Sequence, residues 1–204
     1  MGHAFAVGFA LGFLVALQLG PISLYLIRTT LRNGWEVGVA FALGIAVVDL
    51  GYAALGAAGV APLLTIGPLE TVLGLLGAAV LVFLGVRTLR SAFRVRLGDA
   101  APAVSRQRAF VVAVSATASN PLTIASWAAI FSAASAAGAA SSFGGAVLLV
   151  AGVGVGSATW DVALATGSAA VGQVVGDRFL SVVDLFAGVG LVAFGVVLAA
   201  SVLA

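Results

Sequence analysis

Between Ala109 and Trp160 the chain runs for 52 residues without a charged side chain. A water-soluble domain covers itself with charge, so a run of this kind needs hydrocarbon as its solvent. About 20 apolar residues, rising roughly 1.5 Å each, cross a bilayer as one α-helix. The strict polar–apolar alternation of a membrane β-barrel is absent. With 62% apolar and 8% charged residues over 204 positions, the chain reads as an all-α integral membrane protein.

Uncharged runs separated by turn signals predict six transmembrane helices, at about 4–27, 37–60, 69–86, 109–134, 146–171 and 180–203. The N-terminal stretch MGHAFAVGFALGF lacks the basic flank of a cleaved leader and reads as the start of the first span. The one long polar connection is Arg87–Arg108, and a small-residue loop, Ser135–Gly145, follows the fourth span. All nine basic residues are Arg: six lie in 87–108, Arg28 and Arg32 follow the first span, and Arg178 follows the fifth. By the positive-inside rule, a cytoplasmic 87–108 loop places every Arg inside and both termini outside. Only an even number of spans keeps that separation. The sequence pI of 9.9 therefore expresses topology, and no nucleic-acid partner is expected.

Three spans precede the Arg-rich loop and three follow it. One transmembrane domain, 1–204, is expected, made of a repeat at 4–90 and a second at 109–204. GPISL (Gly20–Leu24) in the first span matches NPLTI (Asn120–Ile124) in the fourth: breaker, Pro, aliphatic, hydroxyl, aliphatic. GIAVVD (Gly44–Asp49) in the second matches GSATWD (Gly156–Asp161) in the fifth. Because three is odd, the second half enters the membrane upside down. Inverted-topology three-helix repeats of this kind are a common architecture of secondary transporters, with the binding site at the midplane.

Proline removes a backbone donor and clashes with the preceding turn. In lipid such a break survives only beside other helices or a wet cavity. Pro21 and Pro121 can each begin a half-helix, with Gly20 bending the backbone and Asn120 as N-cap. The freed amides and positive helix end attract an anion. Asp49 and Asp161 lie deep in their spans, where a carboxylate costs at least several kcal/mol unless protonated, paired or hydrated. Small residues share their faces: Ala42, Ala46, Ala53 and Gly56 with Asp49, and Gly154, Ser157, Ala158, Ala165 and Ser168 with Asp161. A zwitterion fits this constellation, its carboxylate at a half-helix start and its ammonium at Asp49 or Asp161. Gln18, Ser23, Ser119, Asn120 and Thr123 could add hydrogen bonds. The alternative is that each Asp is a protonated, satisfied group linking helices, and each Pro a packing kink. Asp184, near a span end and close to Arg178, reads as interfacial, as does Glu70. Gly8–Gly12 and Gly152–Gly156 match small-xxx-small packing, and Trp35, Trp127 and Trp160 suit lipid-interface or packing roles.

The chain has no Cys and no Lys, and its one His is His3. That leaves no thiol redox centre, no Cys/His metal site, no Ser–Lys dyad and no His-bearing metal motif. Neither an enzyme nor a cofactor is expected.

The stretches Leu17–Tyr52, Asn120–Phe131 and Gly156–Leu164 together resemble the LysE/RhtB family of amino-acid exporters over nearly the whole chain. The resemblance implies a multi-pass exporter in the cytoplasmic membrane, moving amino acids or related metabolites outward and driven by the proton gradient. It assigns Gly20, Pro21, Asp49, Asn120 and Pro121 to the transport site. Several relatives place Gly before the second-span Asp, where this chain has Val48. In the cycle expected, Asp49 and Asp161 alternate between substrate ammonium and proton. An exporter of a cation or other small solute is the alternative, and a homo-oligomer is left open.

Overall fold

The computed structural model describes residues 2–18, 20–58, 67–96, 104–120, 123–124, 126–127, 142–174 and 177–203. Among these it contains seven helices: α1 (Gly2–Ala16), α2 (Pro21–Asn33), α3 (Trp35–Ala57), α4 (Gly67–Arg96), α5 (Arg106–Ala118), α6 (Phe143–Gly172) and α7 (Asp177–Leu203). Within the described residues, α3 and α6 are each long and apolar enough to cross a bilayer, and α1 with α2, bent by 78°, makes a third when the pair is counted as one span. A shorter apolar stretch, Ser181–Val197, lies in α7. This is a multi-pass membrane protein.

On α3, Leu43, Val47, Leu50 and Leu55 are exposed, whereas Ala42, Ala46, Asp49, Ala53 and Gly56 are buried. Phe83 of α4 and Phe186 of α7 point outward in the same way. Lipid accepts large aliphatic and aromatic groups without penalty, so helices associate through whichever face lets their backbones come close. Gly8 and Gly12 of α1 lie directly against the Leu149 and Val153 carbonyls of α6, while Gly152 and Gly156 lie against the Phe5 and Phe9 carbonyls of α1. The two small-xxx-small motifs thus interlock with each other. Gly44 of α3 meets the Phe110 carbonyl of α5 in the same manner, 2.8 Å from where a Cβ would sit. Gly85, Gly188 and Gly195 perform this service between α4 and α7.

The first span is two helices, with the expected break at Gly20–Pro21. The Arg-rich connection is shorter than expected, since α4 continues through Arg96 and α5 starts at Arg106. Asp184 is fully buried within the protein, and it accepts from Arg28 Nε at 2.9 Å and from Arg32 Nε and Nη2 at 3.0 and 2.7 Å. Four residues apart on α2, the two arginines share a helix face and reach one carboxylate. They were read only as topology markers, yet both side chains are 9% exposed.

A single residue, Gly34, joins α2 to α3. Its φ of +85° with extended ψ belongs to a region that only glycine populates readily. Asn33 Oδ1 accepts from Val104 N at 3.0 Å, and Glu36 pairs with Arg106 at 3.3 Å. These contacts, with Asp184, gather the α2–α3 turn, the start of α5 and the start of α7 at one end of the molecule. Pro121 and the fourth span beyond Trp127 lie outside the described residues, as do the side chains of Glu70 and Arg178.

Two substitutions test this architecture. Gly152→Leu drives a side chain into the α1 backbone and should lower stability in detergent by about 1–3 kcal/mol or more, whereas Gly167→Leu, which has open space, should not. Asp184→Asn strips two nearly buried guanidiniums of their counter-charge, with an expected loss of about 3–5 kcal/mol and a correspondingly lower melting temperature.

Candidate functional site

Each helix break has the same backbone signature. Gly20 is extended, Pro21 takes the first position of α2, and the Gly20 carbonyl accepts from Leu24 N at 3.1 Å. At the end of α5, Asn120 N reaches back to the Thr117 carbonyl at 3.1 Å, and the Asn120 carbonyl then accepts from Ile124 N at 3.1 Å. Proline in the first helical position loses only a donor that has no partner there anyway. The Ala118 carbonyl at the second break accepts the Tyr52 hydroxyl at 2.6 Å. That bond answers the demand that a broken helix in lipid find its partners within the protein.

Tyr52 stands one turn beyond Asp49 on α3, so one helix face serves both the break and the acid. Asp49 is 2% exposed. Its Oδ1 accepts from Trp127 Nε1 at 2.9 Å and its Oδ2 from Ser157 Oγ at 2.6 Å. Ser157 lies one turn before Asp161 on α6, and the same hydroxyl is 3.4 Å from Asp161 Oδ2. Two carboxylates from facing helices therefore meet across one hydroxyl. In a low-dielectric interior two negative charges so close repel, and a single cation between them is the favourable balance.

A cavity of about 60 Å³ opens beside this pair. The first break contributes Gln18, Gly20 and Ser23, and the second contributes Asn120 and Thr123, whose side chains bond each other at 3.0 Å. Asp49 and Asp161 line it as well. The structure thus brings together seven of the residues expected from the sequence. Pro21 is buried at the start of α2 without lining the cavity, and Pro121 falls outside the described residues. Ser119 turns away: its hydroxyl donates to the Ser115 carbonyl of its own helix at 2.6 Å.

Sequence reasoning missed the Trp127 donor, the Ser157 bridge, and two further lining residues, Thr117 and Ser126. Trp127 is not at a lipid interface; it is 1% exposed and held by Asp49. Its position seven residues after Asn120, two helical turns on, was the available signal. Ser157 was visible as the residue four before Asp161. Trp160, by contrast, stacks edge-on against Phe13 at 5.6 Å, and Trp35 bonds Thr166 at a half-exposed surface.

The family described as LysE type translocator matches residues 13–202. The chain is 28% identical over 189 residues to "Putative amino acid efflux protein YcgF" of Bacillus subtilis (strain 168), covering 91% of this chain and 90% of that protein. No solved structure matches it.

Replacing Trp127 by Phe keeps a six-membered aromatic ring but removes the N–H together with the fused five-membered ring. Asp49 Oδ1 then loses its donor inside the protein, which should lower stability by about 1–3 kcal/mol. A detergent melt should show the fall, and Phe186→Leu, at an exposed position of α7, should not reproduce it.

Proposed function

This chain belongs to the LysE type translocator family, and from that premise we propose that it exports amino acids or related small metabolites across the cytoplasmic membrane. The observation that carries the reading is the convergence of two broken helices and two buried carboxylates on one cavity. Family members are transporters, and the donor set of this chain fits substrate binding rather than bond-breaking chemistry.

The proposal includes six spans arranged as two inverted repeats, with alternating access around the midplane. Several features support it. The Gly156 backbone lies on the Phe9 carbonyl of α1, and that of Gly44 on the Phe110 carbonyl of α5, so each Asp-bearing helix cradles the half-helix of the other half. The Gly20 and Asn120 carbonyls accept equivalent bonds. The segments bearing Arg28, Arg32 and Arg106 meet at one end, which is proposed as the cytoplasmic side, with both termini outside. In the cycle, a proton and the substrate ammonium compete for the acidic pair, which couples export to the proton gradient. Rocking of the halves about the α3–α6 contact exposes the cavity to each side in turn.

Overexpression in a sensitive host should raise resistance to at least some members of a panel of toxic amino acids and analogues. The purified protein should then show counterflow of the best of them, and the double variant Asp49→Asn/Asp161→Asn should abolish it. Export of divalent cations or another solute, with every amino acid inert, would replace this reading by the alternative.

A further inference from the structure

The two acids of the site are not equivalent. Asp49 accepts on both oxygens, from the Trp127 indole and the Ser157 hydroxyl. Asp161 is reached only by that same hydroxyl, at 3.4 Å, and a serine has one proton to give. Among the described residues, each oxygen of Asp49 thus has a donor, whereas Asp161 shares one long contact on a single oxygen and has the greater capacity left toward the cavity. Elsewhere on the cavity wall, Thr117 Oγ1 is buried with no partner. The start of α2 at Gly20 lines the same space. An unpaired hydroxyl and a helix N-terminus together suit a carboxylate. The rest of the wall is aliphatic, from Val15, Ala16, Ile22 and Ile45, and no described lining residue is basic. A volume of about 60 Å³ is far below the roughly 300–1,000 Å³ of pockets for drug-sized ligands.

We propose, resting on the exporter reading, that the site takes small amino acids with one ammonium group and an uncharged side chain. Asp161 is the carboxylate that holds either the ammonium or a proton, and Asp49 is a positioning acceptor. A second cation, such as the side chain of lysine or arginine, meets only Asp49, which is 2% exposed and already holds a donor on each oxygen. In the exchange the arriving ammonium displaces the Asp161 proton into cytoplasmic water. After release outside, Asp161 takes a proton from external water, so one positive charge always replaces another. The elements packed against α6 leave this exchange to Asp161. Of their titratable groups, α3 offers Asp49 and Tyr52, with Glu36 at its far end; α1 has only His3 in its first turn; and on α2, Tyr25 lies under the Arg28 guanidinium while Arg28 and Arg32 are paired with Asp184.

The test uses the full chain in proteoliposomes, with labelled alanine, threonine, lysine and arginine as probes, read by counterflow and by flux driven with a pH gradient. Alanine or threonine is expected to exchange at least tenfold faster than lysine or arginine in the unsubstituted protein, a result that needs no variant to fold. Asp49→Asn should slow flux yet keep its stimulation by the pH gradient, and Asp161→Asn should lose that stimulation. Exchange of lysine or arginine as fast as that of alanine overturns the inference and leaves the exporter reading intact. Gradient stimulation that survives Asp161→Asn but not Asp49→Asn overturns the division of roles. Failure of all four probes, and of a wider amino-acid panel, removes the exporter reading and the inference with it.

Discussion

A carboxylate in hydrocarbon must find its partners inside the protein, and the answer given to Asp49 organises much of the rest. Its two oxygens are met by an indole from the segment after the second break and by a hydroxyl from α6. Those bonds fix α3, α6 and the residues after Asn120 relative to one another at the depth of the cavity. One turn along, Tyr52 closes the carbonyl that the break leaves open. The acid and the fracture are thus parts of one polar network, and neither is tolerable in lipid without the other's neighbours. Around it, backbone contact through Gly8, Gly12, Gly152 and Gly156 supplies the close approach that makes such short bonds reachable.

The half-helix α2 connects this network to the other end of the molecule. Its first residue sits beside the cavity, and two to three turns later Arg28 and Arg32 close on Asp184 of α7. One carboxylate against two guanidiniums ties that end of α2 to α7 and leaves an excess positive charge in the cluster. A movement of α2 at the cavity would therefore be transmitted to α7, or resisted by it, rather than dissipated in a loop.

What the sequence made legible follows the range over which its signals act. Bilayer thickness sets apolar length, so the expected spans at 37–60 and 146–171 fall within three residues of α3 and α6 at each end. Gly20–Pro21 announced a break because a proline acts on its own backbone, but nothing local specifies a 78° bend. The small-residue faces around Asp49 and Asp161 were readable from helical periodicity, and they are indeed mostly buried. The partners of Asp184 were not legible, since they lie 156 and 152 positions away and only Arg178 is near it in sequence. Trp127 was missed for a chemical reason: the same ring suits a lipid interface, a packed core or a hydrogen bond, and only the fold chooses.

The central claim is that the two fractures and the two acids share one chamber that water can reach. The chain contains no cysteine, so a single introduced thiol reports its own surroundings. A cysteine at Ser126, on the cavity wall, should react with a membrane-impermeant, charged thiol reagent and be protected by transported substrate. One at Leu43, on the lipid-facing side of α3, should not react. An inert thiol at Ser126 in folded, transport-competent protein would contradict the account.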